Sequence, residues 1–84
     1  MTHDDVLTRL FTIFSEKFEI DTPGPDEDLR EAYEFDSIDA IELLREIEIM
    51  LGVKLSQEQK KGAMDIRTIN QIADYVLALE KETA

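Results

Sequence analysis

Residues 36–52, DSIDAIELLREIEIMLG, decide the fold. An α-helix turns about 100° per residue. On that wheel Ala40, Ile41, Leu43, Leu44, Ile47, Met50 and Leu51 share one broad side, and Asp39, Glu42, Arg45 and Glu46 fall opposite. The stretch therefore predicts an amphipathic helix over 37–51 whose apolar side faces a core. Asp36 or Ser37 is a suitable N-cap, Asp39 complements the helix dipole, and Gly52 is a natural stop. Ile38 and Ile49 break the pattern by falling among the charges. They form either a docking stripe framed by acidic residues or a pair tucked under a neighbouring segment; periodicity gives a face and not what covers it.

Working outward, the chain before this helix runs through a long connection, residues 19–36, in which Pro23-Gly24-Pro25 forbids continued helix. Leu29, Tyr33 and Phe35 are apolar points able to pin it to a core. Connections this long are uncommon in compact domains and tend to be functional; this one leads directly to Asp36-Ser37. Before it, Val6, Leu7, Leu10, Phe11, Phe14 and Phe18 recur at three- and four-residue steps, with Thr2 as cap and Asp4 and Asp5 at the dipole's positive end. After the central helix, Ser56-Gln57-Glu58-Gln59 is a capping box opening a short helix that Gly62 weakens. Thr68-Ile69-Asn70-Gln71 is another, opening a helix with Ile69, Ile72, Ala73, Val76 and Leu79 on one side. The expected architecture is all-α: one domain over residues 1–84, a small four-helix bundle with three long helices, one short helix, and a long loop between the first two.

Composition narrows the function. The 84 residues contain no Cys and a single His, His3, near the N-terminus. A disulfide, a thiolate metal site, a Cys nucleophile, a Ser–His–Asp triad and a multi-His site are all disfavoured, so no catalytic or metal residues are expected. Asp26-Glu27-Asp28 lacks the alternating ligand spacing of a calcium loop. The net charge of −11 disfavours nucleic acid and anionic membranes. Residues 19–48 hold 12 of the 20 acidic side chains and two basic ones, Arg30 and Arg45, a distribution that could steer basic partners or simply solvate the surface. No apolar run approaches the roughly 20 residues of a membrane span, and residues 1–18 do not read as a signal peptide. A soluble, cytoplasmic chain is expected.

The stretch Glu34-Phe35-Asp36-Ser37-Ile38-Asp39-Ala40-Ile41-Glu42-Leu43 resembles the Asp-Ser-Leu segment of acyl carrier proteins. Leu29 and Tyr33 are similar to that family's loop anchors, and stretches ending at Glu48, Leu55 and Val76 also match, so the resemblance covers nearly the whole chain. It implies a non-enzymatic carrier in which Ser37, next to Asp36, holds a covalent 4′-phosphopantetheine arm derived from coenzyme A. Ile38, Asp39, Glu42, Arg45, Glu46 and Ile49 would belong to the recognition helix. The implied partners are a phosphopantetheinyl transferase and acyl-transferring or synthase enzymes with basic docking patches, serving fatty-acid, polyketide or specialised lipid biosynthesis, with the carrier a monomer. The chain departs from the family pattern at Phe35, normally small, at Ile38 for Leu, at Arg45, at Ile49 for an acidic residue, and in a shorter loop with two prolines.

A carrier serine needs access more than reactivity, since a free Ser hydroxyl is a poor nucleophile and the modifying enzyme supplies the activation. Open N–H groups at a helix N-terminus would favour a phosphodiester there. Ala40, Leu44, Ala63, Ile66 and Ala73 are candidate positions around a sheltered acyl chain, or simple core filling. Two alternatives stand beside this reading: an aminoacyl or peptidyl carrier, and an unmodified acidic helical interaction module in which Ser37 only caps a helix.

Overall fold

The computed structural model describes residues 1–21 and 23–83. Among the described residues five helices follow one another: α1 (His3–Phe18), α2 (Leu29–Tyr33), α3 (Ser37–Leu51), α4 (Gln57–Gly62) and α5 (Ile69–Thr83). Three starts follow the capping signals in the sequence. Thr2 accepts from the Asp5 N–H while Asp5 reaches back to the Thr2 N–H. Ser56 and Gln59 form the same box at α4, and Thr68 and Gln71 form it at α5. Each pairing satisfies N–H groups that the helix itself leaves open. At the far end of α3, Gly52 takes φ +68° and its N–H closes on the Glu48 carbonyl.

The bundle is held by one apolar cluster. Val6, Leu10 and Phe14 of α1 face Ile69, Ile72, Ala73, Val76 and Leu79 of α5, with Leu43, Leu44 and Ile47 of α3 closing the third side. Among the described residues no polar or charged side chain is buried. Burying an aliphatic or aromatic side chain is worth about 1.5–3 kcal/mol, and α4 contributes no buried residue, which makes it the element least tied to the core.

The long connection differs from the expected loop in carrying α2, a single helical turn and a half. Asp28 caps it, accepting from the Arg30 and Glu31 N–H groups, and Glu34 ends it in the left-handed region at φ 54°. Five residues are too few to show a helical period, and that hides the element in the sequence. The connection lies against the bundle rather than extending from it. The Leu29 N–H donates to the Arg67 carbonyl at 2.8 Å, Asn70 donates through its backbone to Pro25 and through its side chain to Asp26, and the Arg30 guanidinium donates to the Met64 carbonyl. The radius of gyration, 11.8 Å, is that of a compact chain of this length, about 12 Å, so no arm projects from the body. No described helix is long and apolar enough to cross a membrane.

Candidate functional site

The site is the junction of α2 and α3, and Phe35 fixes it. Its N–H donates to the Leu29 carbonyl across the end of α2. Its ring is buried between Phe14, at a centroid distance of 5.6 Å, and Phe18, at 5.4 Å and nearly edge-on. Aromatic pairs favour such tilted and edge-on arrangements. With Phe35 drawn inward, the next two residues emerge on the surface.

Asp36 then locks the helix start. One carboxylate oxygen accepts the N–H groups of Ile38 and Asp39, both at 3.0 Å, while the Asp39 carboxylate accepts the Asp36 N–H at 3.1 Å. The Asp39 N–H, first of all, holds the Asp36 carboxyl below the usual range; desolvation opposes it, and the Asp39 side chain and the Ile38 N–H add to the lowering. Asp36 therefore stays ionised at neutral pH and is spent on capping. It is not a base for its neighbour. Open backbone donors, expected to favour a phosphodiester, are largely absent here, because Asp36 occupies two of the three N–H groups in the first turn.

Ser37 is the first residue of α3 and is exposed. Among the described residues its hydroxyl makes no hydrogen bond. Among the described residues nothing in the fold activates it and nothing covers it. These residues fit a covalent phosphate ester in the two respects a graft requires: the oxygen is open, and the first turn is held by Asp36 and Asp39 without using it.

The remaining candidate residues divide between two faces. Ile38 and Ile49 stand in solvent, 73% and 76% exposed, so neither tucks under a neighbour. Ile41, expected on the core side, joins them at 58% exposure. The wheel explains this: Ile41 lies about 40° from Arg45 and about 120° from Ile47, which points to the core. Glu42 and Arg45 share this outer face and are exposed. Asp39 is committed to the cap. Glu46, expected on the outer face, turns toward α1 and stands 3.7 Å from the Lys17 ammonium with 15% of its side chain exposed.

Behind Ser37 a narrow apolar cleft runs between α2, α3, α5 and the segment that follows α4, lined in part by Leu29, Phe35, Ala40, Leu44, Ala63, Ile66, Ile72 and Tyr75. Its free volume is about 20 Å³, room for roughly one water. Four of the five expected lining residues reach it. Ala73 does not, because it is wholly buried on another side of α5.

Comparison with known proteins places this arrangement. The family described as the phosphopantetheine attachment site matches residues 8–76. Acyl carrier protein 2 of Ralstonia nicotianae is 33% identical over 81 residues, covering 94% of this chain and 96% of that protein. The acyl carrier protein of Rubrobacter xylanophilus is 30% identical over 86 residues and the full length of both. No solved structure gives a significant match. These family and sequence matches define the class as a carrier protein rather than an enzyme. The chain belongs to the acyl carrier protein family, whose prosthetic group is 4′-phosphopantetheine.

Proposed function

We propose that Ser37 is the attachment point of the 4′-phosphopantetheine arm, and that the chain, as one domain over residues 1–84, shuttles acyl intermediates between enzymes of a fatty-acid, polyketide or specialised lipid pathway in the cytoplasm. The arm supplies the terminal thiol on which cargo is held as a thioester. The observation that carries this reading is the exposed, unpaired Ser37 hydroxyl at a rigid helix start. The absence of Cys agrees with it, since no protein thiol competes for the cargo.

The chain's own residues divide the work. Phe35 and the Asp36–Asp39 capping pair hold the attachment point at a fixed place on the surface. Ile38, Glu42, Arg45 and Ile49 form the recognition face, with Asp39 and Glu46 supporting it from the cap and from the α1 side. A phosphopantetheinyl transferase must cover the first turn of this face to reach Ser37, and the enzymes that load and unload the arm meet the same surface. The carrier works as a monomer.

The test is the intact mass of the purified chain after incubation with coenzyme A, magnesium and a broad-specificity phosphopantetheinyl transferase. The expected result is one added phosphopantetheine on the native chain and none on Ser37→Ala. A native chain that gains no mass, or an alanine variant that does, refutes the assignment. Loading the arm by aminoacyl ligases but not by acyl-loading enzymes would transfer the protein to the aminoacyl carriers.

A further inference from the structure

The outer face of α3 is unusual in what it keeps for itself and what it leaves out. The helix carries four carboxylates, Asp39, Glu42, Glu46 and Glu48. Three are already engaged: Asp39 with the Asp36 N–H, Glu46 with Lys17, and Glu48 with the Leu55 N–H at 2.8 Å. Glu42 alone faces outward without a partner among the described residues. The positions left open to a visitor are therefore mainly apolar: Ile38, Ile41 and Ile49, each more than half exposed. Arg45 stands in their midst, four residues after Ile41 and four before Ile49, on the same stripe of the helix. It makes no ion pair among the described residues, although Glu42 and Glu48 stand three residues to either side.

Any surface that covers the three isoleucines also removes water from Arg45. A guanidinium cannot be deprotonated, and a desolvated charge without a counter-charge opposes the contact that buries it. A second copy of the chain is a poor occupant, because each carries a net charge of −11 and the two repel. We propose that the partner enzymes of this carrier dock on the stripe Ile38–Ile41–Arg45–Ile49 through an apolar recess bearing a carboxylate set against Arg45, with basic groups confined to the rim near Glu42. This rests on Ser37 as the attachment point, since Ile38 and Ile41 lie within one turn of it. The consequence is a contact whose strength is carried by apolar burial and one sheltered ion pair, both weakly screened by salt.

The experiment uses the full chain, coenzyme A and two phosphopantetheinyl transferases, one whose carrier-facing surface is apolar with an acidic residue and one whose surface is basic. Arm attachment is followed by mass across a salt series. The first enzyme is expected to act with the higher kcat/KM and to hold it within about twofold as salt rises through the range that screens exposed pairs. Arg45→Glu should lower that kcat/KM about tenfold, the scale of one desolvated charge pair reversed, through KM with kcat unchanged. Ile49→Asp should do likewise, from about 18 Å along the helix from Ser37 and so beyond reach of the reacting atoms. Circular dichroism is expected to show both variants as helical as the native chain. A preference for the basic enzyme, a steep loss of native activity with salt, or indifference to Arg45→Glu overturns the docking proposal while leaving the arm on Ser37. If neither enzyme adds the arm to the native chain, the Ser37 assignment fails, and the docking proposal with it.

Discussion

Phe35→Ala is the substitution most informative about how Ser37 is held. The ring is 8% exposed and touches both Phe14 and Phe18. Truncating a core Phe to Ala costs about 3–5 kcal/mol, with the lower values where neighbours can relax into the space. Phe35 borders a cleft that already has room for one water, so relaxation is available and a cost of about 3 kcal/mol is expected. A domain of this size has a total stability of about 4–13 kcal/mol. The variant should therefore stay folded near room temperature while losing a large part of its margin. At about 4–8 °C per kcal/mol for such a domain, the midpoint should fall by roughly 12–24 °C. Phe35→Leu keeps apolar volume but loses the ring contacts, and should cost about 1–1.5 kcal/mol. Urea unfolding followed by helical circular dichroism measures both, with an unchanged slope showing that the unfolded surface is the same. Amide exchange at Ile38 and Asp39 should quicken in Phe35→Ala beyond what global destabilisation gives, because the ring anchors the residue before the cap. A loss under about 1 kcal/mol with unchanged exchange would refute the idea that the three rings set the position of Ser37.

Three further substitutions separate backbone, charge and hydrogen-bond effects. At Gly52 a Cβ would meet nothing within 4 Å, so Gly52→Ala should cost only the left-handed backbone strain, about 1–2 kcal/mol by thermal unfolding; a neutral result would mean that the α3 terminus rearranges freely. The Asp36 carboxyl is held below its usual range, so its stabilising effect is complete above the ordinary carboxylate pKa and is lost as pH falls through the folded-state value. Asp36→Asn keeps a capping oxygen without the charge, and its midpoint should approach that of the native chain as pH is lowered from 6 to 2; parallel curves would count against the cap as the cause. Tyr75→Phe removes a 2.5 Å hydrogen bond to the Gln59 carbonyl, worth about 0.5–1.5 kcal/mol, and should speed amide exchange in α4 before any other element; unchanged exchange there would assign α4's position to something else.

Much of this architecture is legible in the chain because its signals are local. Thr2 reads as a cap, Ser56 with Gln59 and Thr68 with Gln71 read as capping pairs at fixed spacing, and each one opens a helix in the structure. Gly52 ends α3 because a left-handed residue is needed there. What escapes the sequence is decided by tertiary packing. The α2 turn exists because Asp28 can cap it and Leu29 can bury against the bundle, and neither fact leaves a period in five residues. Ile41 is exposed although it lies on the apolar side, because seven apolar residues on a 15-residue helix make a side wider than the strip its neighbours cover. Glu46 turns from the outer face toward Lys17, a neighbour on another helix that α3 alone does not reveal. A helix start at Asp36-Ser37 is legible in the sequence, but that Asp36 consumes the backbone donors of the first turn appears only in the hydrogen bonds.

The distribution of residues along α3 runs against what folding alone favours. Isoleucine is among the residue types most often buried, and Glu and Asp among the least. Yet α3 exposes three isoleucines and draws three of its four carboxylates into internal contacts. Exchanging the exposed isoleucines for polar residues would leave every core contact in place, so stability does not explain them. A surface that folding does not require, running along α3 from the turn that holds the exposed Ser37, agrees with the docking role proposed for it. Phe35 turned inward, Asp36 locked and Ile38 turned outward leave Ser37 exposed at the first turn of α3.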